Sequence, residues 1–248
     1  AAIQKALADG LAPATCGRDL ASSDLVEEAE VNVFSNACMR LPARVIPCAG
    51  RVLVLEQSQV QSGQTGAAVW NGALALARAM EGIGPSAFAG KRVLELGAGC
   101  GLGSAVAHTL GASLVVATDS NDSLLAQCRR NLDANRMPGG GEVAVQPLAW
   151  SGPNAERFLA DVGGGKPFDW VIGSDVTYNS GAWRPLAQTI LQVGDPSTRT
   201  LLACTDRYPG EFVSVRTFFE GSAFRCSEVS ALTVGESLVH VFALSRAK

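Results

Sequence analysis

The sequence predicts an α/β fold in which a mostly parallel sheet is covered by helices on both faces. After Gly90, short apolar runs alternate with longer segments that carry apolar residues at helical spacing. Glycine and polar turn residues separate these segments, as expected of buried strands that are joined through helices. Because such crossovers are right-handed, few sheet topologies remain.

The first sixty residues differ from this pattern. Residues 1–30 carry no clear period, whereas β-branched residues recur over 32–56 and end in the strand-like run Arg51–Glu56. We interpret residues 1–60 as an N-terminal arm followed by a β-hairpin, and residues 61–248 as one larger domain.

An amphipathic helix is predicted directly after the turn cluster at residues 62–66. Its apolar residues recur every three or four positions, which places them on a single face. They are Trp70, Ala73, Leu74, Ala77 and Met80. We expect this helix to pack on the sheet.

The alternating part begins with the strand Arg92–Leu96, a glycine turn over 97–103 and a helix that closes at Gly111. A second strand over 113–118 and a helix over 121–136 extend the pattern. Later strands are predicted at 143–148, 168–173, 199–205, 224–229 and 238–244, and later helices at 154–162, 183–193 and 211–220.

Composition narrows the class of protein. The chain has 248 residues, of which 47% are hydrophobic, so it can form one large core or at most two small ones. No apolar run approaches the roughly 20 residues that cross a bilayer, and the first ten residues lack the layout of a secretory signal. Because the net charge is −3, we expect neither nucleic acid nor a membrane as partner.

The seven cysteines stand singly, and no CxxC pair or Cys/His cluster is present. This spacing predicts that the chain has no metal site. An odd number of thiols, several of them in apolar segments, favours a reducing compartment. We expect a monomer in the cytoplasm or the nucleus.

The strongest functional signal is a glycine-rich run between a strand and a helix, Glu95-Leu-Gly97-Ala-Gly99-Cys-Gly101-Leu-Gly103. Glycines let the backbone approach a ligand without a Cβ collision, and the N-terminus of the following helix offers free N–H groups. About 20 residues further on, Asp119 ends the next strand, where a carboxylate can accept both hydroxyls of a ribose. This arrangement predicts a nucleoside-binding site.

The ligand is either a dinucleotide or S-adenosylmethionine. The GxGxxG spacing of dinucleotide-binding proteins is absent, because Leu102 or Ser104 stands where the last glycine is needed. Glu95 would repel a pyrophosphate but suits the cationic methionine moiety of S-adenosylmethionine, which we therefore favour as cofactor. Trp150 can cover an adenine and Trp70 can cap the same cleft, although ordinary core packing is the alternative for both rings.

Further motifs accompany the glycine run in order: Thr65-Gly66, Val69-Trp70, Thr118-Asp119, Leu148-Ala-Trp150 and Asp175-Val-Thr-Tyr178. Together they resemble the lysine methyltransferase-like group known as methyltransferase family 16, over roughly residues 50–245. The resemblance implies a Rossmann-like seven-stranded sheet with an antiparallel last strand, so that residues 61–248 form an S-adenosylmethionine-dependent methyltransferase domain. It also implies cofactor contacts from Trp70, Gly97, Ala98, Gly99, Asp119, Trp150 and Ser174, beside the Glu95 carboxylate.

Two positions depart from the pattern of that family. Cys100 replaces the more usual threonine of the glycine run, which is a small change. Thr177 stands where an aliphatic residue is common, and we expect it to alter the lip of the acceptor channel.

Asp175 and Tyr178 are the predicted catalytic residues, because they follow a strand at the carboxyl edge of the sheet. Asp175 can accept hydrogen bonds from an incoming ammonium group, and the Tyr178 ring can add cation–π attraction. A carboxylate also favours the protonated amine, which cannot attack, so we interpret Asp175 as an orienting group rather than a base. The alternative is that Asp175 caps the following turn and Tyr178 packs against it.

The leading hypothesis is a protein-lysine N-methyltransferase, with a chaperone or a translation factor suggested as substrate by the resemblance. Amino-methyltransferases of nucleic acids carry two prolines where Val176 and Thr177 stand, which disfavours DNA or RNA. A small-molecule N-methyltransferase and a cofactor-binding protein without turnover are the alternatives. The segment 206–208 either contacts the acceptor or is a solvated loop, and we interpret His108 and His240 as structural.

Overall fold

The computed structural model describes residues 40–58, 65–234 and 237–247. Its strands are β1 (Ala43–Cys48), β2 (Arg51–Glu56), β3 (Arg92–Leu96), β4 (Leu114–Asp119), β5 (Glu142–Pro147), β6 (Trp170–Ser174), β7 (Arg199–Thr205), β8 (Phe224–Val234) and β9 (Ser237–Arg246). Its α-helices are α1 (Asn71–Ile83), α2 (Leu102–Thr109), α3 (Asp122–Ala134), α4 (Gly152–Asp161), α5 (Trp183–Val193) and α6 (Glu211–Glu220). Short 3₁₀ turns span Thr65–Ala67, Pro85–Ala87 and Ser180–Ala182.

Seven strands form one sheet in the order β5-β4-β3-β6-β7-β9-β8. The strands from β3 to β7 are parallel to one another, and β9 runs antiparallel to both β7 and β8. The predicted seven-stranded, mostly parallel sheet with an antiparallel last strand is therefore confirmed. Because the chain runs outward in both directions from β3 and β6, their carboxyl ends border the crevice where open α/β sheets bind ligands.

Two apolar cores lie on opposite faces of this sheet. Successive residues of a strand alternate between the cores, as with Val93 and Leu94 of β3. The first core joins the sheet to α1, α2 and α3, and the second joins it to α4, α5 and α6. Helices thus cover both faces, as predicted.

Three elements differ most from their predicted form. Helix α1 begins at Asn71, so Trp70 has an extended backbone and occupies the N-cap position instead of a place on the helical face. Strands β8 and β9 are longer than predicted, and their register shifts between Glu228 and Ser230. This bulge interrupts the alternation of inward and outward residues from which strand length is judged.

The predicted hairpin consists of β1 and β2, which pair in antiparallel register around a turn at Ala49 and Gly50. Both turn residues have positive φ, as a type I′ hairpin turn requires. The free edge of β2 faces α3, where Asn135 bonds both the N–H and the C=O of Val54. Asn131 does the same at Glu56, so these amides take the place of a neighbouring strand.

Residues 1–39 of the predicted arm and residues 62–64 of the turn cluster lie outside the described residues, and the boundary at residue 61 stays a prediction. None of the described helices has the length and apolarity needed to cross a bilayer.

Candidate functional site

A cavity of about 470 Å³ opens where the carboxyl ends of β3, β4 and β6 meet the start of α1. Its volume is typical of small-molecule pockets, which span roughly 300–1,000 Å³. Most residues predicted to bind the cofactor line it, namely Trp70, Gly97, Ala98, Gly99, Asp119, Trp150 and Ser174. Asp175 and Tyr178 line the same cavity, so the structure brings both groups of predicted site residues together.

The glycine turn after β3 has a backbone that other residues rarely adopt. Gly97 and Gly99 have φ values of 66° and 50°. A Cβ on Gly97 would lie 2.8 Å from a methyl carbon of Val176, and one on Gly99 would lie 2.6 Å from the Gly66 carbonyl oxygen. Glycine is therefore needed both for the conformation of the turn and for its close packing.

Asp119 ends β4 beside this turn. One of its carboxylate oxygens accepts a 3.2 Å hydrogen bond from the backbone N–H of Gly99. The other accepts the N–H groups of Ser120 and Asn121. The half-buried carboxylate is thus fixed at the cavity wall, in the position from which a ribose diol is bound in related sheet architectures.

Glu95 lies elsewhere than expected. Its side chain is 1% exposed and does not line the cavity. One carboxylate oxygen accepts both the N–H and the hydroxyl of Ser104, in the first turn of α2, at 2.8 and 2.5 Å. The expectation that Glu95 faces the cofactor is corrected accordingly, since this carboxylate holds the helix N-terminus behind the glycine turn.

Burial raises the pKa of Glu95 to about 7, although the bonds from Ser104 act in the opposite direction. The loss of hydration destabilises the ionised carboxylate by more than the two hydrogen bonds from Ser104 stabilise it. Ser104 lies nine positions after Glu95, on the following helix, and the sequence pattern alone does not predict that the two residues form a hydrogen bond.

Two half-buried tryptophans line the cavity. The Trp70 ring nitrogen donates a 2.6 Å hydrogen bond to the Thr65 carbonyl, which fixes the ring just before α1. The Trp150 ring follows β5 and lies so close to Gly97 that a Cβ there would be 3.4 Å from it. Both rings occupy positions where they can cover a bound nucleoside.

Asp175 lines the cavity just after β6, and its carboxylate accepts hydrogen bonds from three donors. One carboxylate oxygen accepts the N–H of Gly72 at 2.9 Å. The other accepts the N–H of Thr205 at 3.1 Å and a guanidinium nitrogen of Arg207 at 3.1 Å. The side chain is 7% exposed and holds together β6, β7 and α1, a role that neither sequence interpretation described.

Arg207 is a second charged residue in the lining of the cavity, next to Asp175. Its guanidinium bonds Glu211 as well as Asp175 and lies 5.8 Å from the ring centroid of Tyr178. The Tyr178 ring is 57% exposed, and one of its faces is already covered by this protein cation. Of residues 206–208, Arg207 lines the cavity and Tyr208 is exposed to solvent, and contact of this segment with the acceptor stays a prediction.

Thr177 and the histidines stand apart from the cavity. Thr177 is 1% exposed and does not line the cavity, so the expectation that it shapes the acceptor lip is corrected. His108 accepts the N–H of Met137, and His240 stacks on Phe212 at 4.1 Å. These contacts agree with a structural role for both histidines.

Comparison with known proteins gives a family match over most of the chain. A family model described as lysine methyltransferase matches residues 49–220. Protein N-lysine methyltransferase METTL21A of Danio rerio is 37% identical over 144 residues, which are 57% of this chain and 62% of that protein. METTL21A of Mus musculus is 32% identical over 168 residues, covering 67% of this chain and 72% of that protein.

A third relative, protein-lysine N-methyltransferase EFM3 of Chaetomium thermophilum, is 31% identical over 153 residues. That match covers 59% of this chain and 44% of the relative. The chain thus spans less than two thirds of the length of EFM3 and of the Danio rerio protein.

Solved structures share the fold at low sequence identity. Magnesium protoporphyrin IX methyltransferase from Synechocystis, with bound SAH, has a TM-score of 0.54 and 15% identity, covering 77% of this chain and 90% of that one. An S-adenosylmethionine-dependent methyltransferase from Agrobacterium tumefaciens has a TM-score of 0.56 and 11% identity, covering 84% and 71%. These likenesses concern the arrangement of helices and strands.

Proposed function

Because the chain belongs to the lysine methyltransferase family, we propose that it transfers a methyl group from S-adenosylmethionine to the side-chain amine of a lysine in another protein. The observation that carries the proposal is the composition of one cavity. Its first end has a glycine turn and Asp119, and its second end has Asp175 and Arg207. The proposed nucleoside site and the proposed acceptor site would thus share one continuous space.

The described residues fit the proposed cofactor. The glycine turn presents backbone without side chains at Gly97 and Gly99, where a Cβ would collide with neighbouring atoms. Asp119 would bind the ribose hydroxyls, and Trp150 would cover the adenine. Ser174, at the end of β6, would contact the methionine part next to Asp175.

For methyl transfer to an amine, the protein mainly has to align the amine with the methyl group and to exclude water. When bound, S-adenosylmethionine supplies a methyl group that is already activated by a sulfonium. Trp70 and Trp150 would exclude water from the nucleoside end. The hydrogen bonds of Asp175 to α1, to β7 and to Arg207 would hold the acceptor end at a fixed distance from that site.

Asp175 is proposed as an orienting group. Three protein donors already bind its two oxygens, which leaves it little capacity to take a proton from the acceptor. We propose that the acceptor amine loses its proton to water as it is desolvated. The Tyr178 ring, exposed at the mouth, would pack against the aliphatic part of the lysine side chain.

The proposal is tested by incubating the protein with radiolabelled S-adenosylmethionine and a cell extract. Wild type is expected to label at least one protein, and Asp175→Asn is expected to lose that label while still binding the cofactor in a calorimetric titration. Asp122→Asn, an exposed carboxylate in the first turn of α3, is the matched control and should label as wild type does.

Other outcomes would identify a different function. Label in small molecules alone would favour a small-molecule N-methyltransferase, and label in RNA would contradict the proposal. Cofactor binding without any transfer would favour a binding protein without turnover.

A further inference from the structure

Arg207 occupies the place at which an incoming lysine would meet a carboxylate. Its guanidinium nitrogen lies 3.1 Å from an oxygen of Asp175, and its carbon lies over the ring of Tyr178. Both residues with which a lysine ammonium would pair therefore already face a permanent cation of the protein.

A second carboxylate fixes this cation. Glu211, 1% exposed at the start of α6, accepts a guanidinium N–H of Arg207 through one oxygen at 3.1 Å. Its other oxygen accepts the backbone N–H of the same residue at 2.7 Å. Arg207 also donates to the Thr205 carbonyl, so its position is determined by contacts at both ends of the residue.

The balance of charge around Asp175 determines whether an incoming amine is stabilised in its protonated form. Asp175 and Glu211 carry two negative charges, and Arg207 compensates one of them. Without Arg207 the acceptor would meet the uncompensated carboxylate of Asp175, with the buried carboxylate of Glu211 adding to the negative charge, and both would stabilise an ammonium over a neutral amine. An amine held in that form has no electron pair with which to attack.

Other titratable or charged groups lie around this end of the cavity within the described residues. From β7 and the following segment they are Cys204, Asp206 and Tyr208, and beyond them lie His240 of β9 and Glu228 of β8. Asp206 and Glu228 face His240, at 3.4 and 3.5 Å. Arg207 is the cation that contacts Asp175 directly.

We propose that Arg207 keeps the acceptor lysine from being trapped as an ammonium, by occupying Asp175 in advance. This inference rests on the proposed function. The acceptor first loses one proton to water, because only the neutral nitrogen has the electron pair that bonds to the methyl carbon while sulfur keeps the pair of the bond that breaks. Arg207 acts on the proton equilibrium of the acceptor and is a positioning residue for Asp175.

The test compares Arg207→Gln and Arg207→Lys, with the isolated protein that wild type labels as substrate. The pH dependence of kcat reports the proton equilibrium of the bound acceptor. Loss of one neighbouring cation should move the rising limb of Arg207→Gln about one pH unit upward, which is a roughly tenfold lower kcat on that limb. At high pH the rate should return toward that of wild type, and Arg207→Lys should restore most of the wild-type profile.

A binding measurement gives a second readout without turnover. With S-adenosylhomocysteine present, the acceptor protein should bind Arg207→Gln several-fold more tightly than wild type at pH 7, because the ammonium then meets a free Asp175. Arg216→Gln removes the same charge from an exposed pair on α6 and should leave both readouts unchanged. Thermal unfolding of each variant establishes that it is folded.

Three results would overturn the inference. One is an equal loss of kcat for Arg207→Gln at every pH, with an unmoved limb and no tighter binding, which is the signature of a purely structural role. Another is failure of Arg207→Lys to restore the profile when that variant is folded. A wild-type protein that labels no protein lysine would remove the proposed function itself, a result that the first two do not produce.

Discussion

The backbone N–H of Gly72, in the first turn of α1, donates a 2.9 Å hydrogen bond to the carboxylate of Asp175, 103 residues later in the chain. The N-terminus of a helix carries partial positive charge, so this bond places a carboxylate where the helix favours it. Trp70 lies two residues before Gly72 and lines the same cavity as Asp175. The contact therefore joins the start of α1, next to Trp70, to the segment after β6 that carries Asp175.

Gly72→Ala should displace Asp175 and abolish most methyl transfer. A Cβ at this position would collide with the Asp175 carboxylate, whereas alanine in a helix normally stabilises by about 0.5–1 kcal/mol. The initial rate of label transfer is expected to fall at least tenfold. Gly82→Ala lies in the same helix with no atom within 4 Å of the added carbon, and it should be as active as wild type and slightly more stable to heat. Equal activities of the two variants would refute the positioning role of this contact.

Gly99→Ala should lose cofactor binding. The alanine would have a φ near 50° and a Cβ 2.6 Å from the Gly66 carbonyl oxygen, so that the turn must move away from Asp119. Calorimetric titration with S-adenosylmethionine should show at least tenfold weaker binding. Gly139→Ala has the same kind of φ but open space around the new carbon, and it should cost about 1 kcal/mol of stability without altering the dissociation constant. Wild-type affinity in Gly99→Ala would show that this turn does not form the nucleoside site.

The free energy of unfolding should depend on pH because of Glu95. Its pKa is raised to about 7 in the folded state from an ordinary value of 4.5, so the folded state holds a proton that the unfolded chain has released between these values. Stability is therefore lost as the pH rises through this window, by roughly 3 kcal/mol in total for a fully buried group.

Urea unfolding at pH 5 and at pH 8 measures this effect. The wild type should lose more stability between the two pH values than Glu95→Gln, which cannot ionise but can still accept the Ser104 bond. A difference between the two proteins that stays constant with pH would contradict the assignment.

Asn135→Ala should destabilise the protein through the hairpin. The variant would leave the buried N–H and C=O of Val54 without their partner, at a cost of about 2–4 kcal/mol in the free energy of unfolding. Asn154→Ala on α4, which removes two exposed hydrogen bonds, one to the Ala149 carbonyl and one from Arg157, should cost less than about 1 kcal/mol. If both variants unfold at the same denaturant concentration, the hairpin is not held by this amide.

Elements whose signals are local could be predicted from the sequence. Strand Arg199–Thr205 and helices Trp183–Val193 and Glu211–Glu220 have the bounds that were predicted, because apolar periodicity and turn residues define both of their ends. The glycine turn and Asp119 could also be placed, since a strand, a turn and the next strand lie close together in the sequence.

Features that depend on distant contacts could not be predicted in the same way. Glu95 was expected to face the cofactor, whereas it is buried beside Ser104. That contact depends on how α2 packs on the sheet. The occupation of Asp175 by Gly72 and Arg207 joins segments that are about 100 and about 30 residues away. Only the assembled sheet brings these donors together, and no motif in one segment encodes the other two.

Identification of the methylated residue tests the central proposal most directly. The protein labelled by wild type in a cell extract should be isolated and its peptides analysed by mass spectrometry, with Asp119→Ala as a variant that is expected to lose cofactor binding. The expected result is a methyl group on the side-chain nitrogen of a lysine, present with wild type and absent with Asp119→Ala. A methyl group on another residue type, or the same methyllysine with both proteins, would contradict the proposed function.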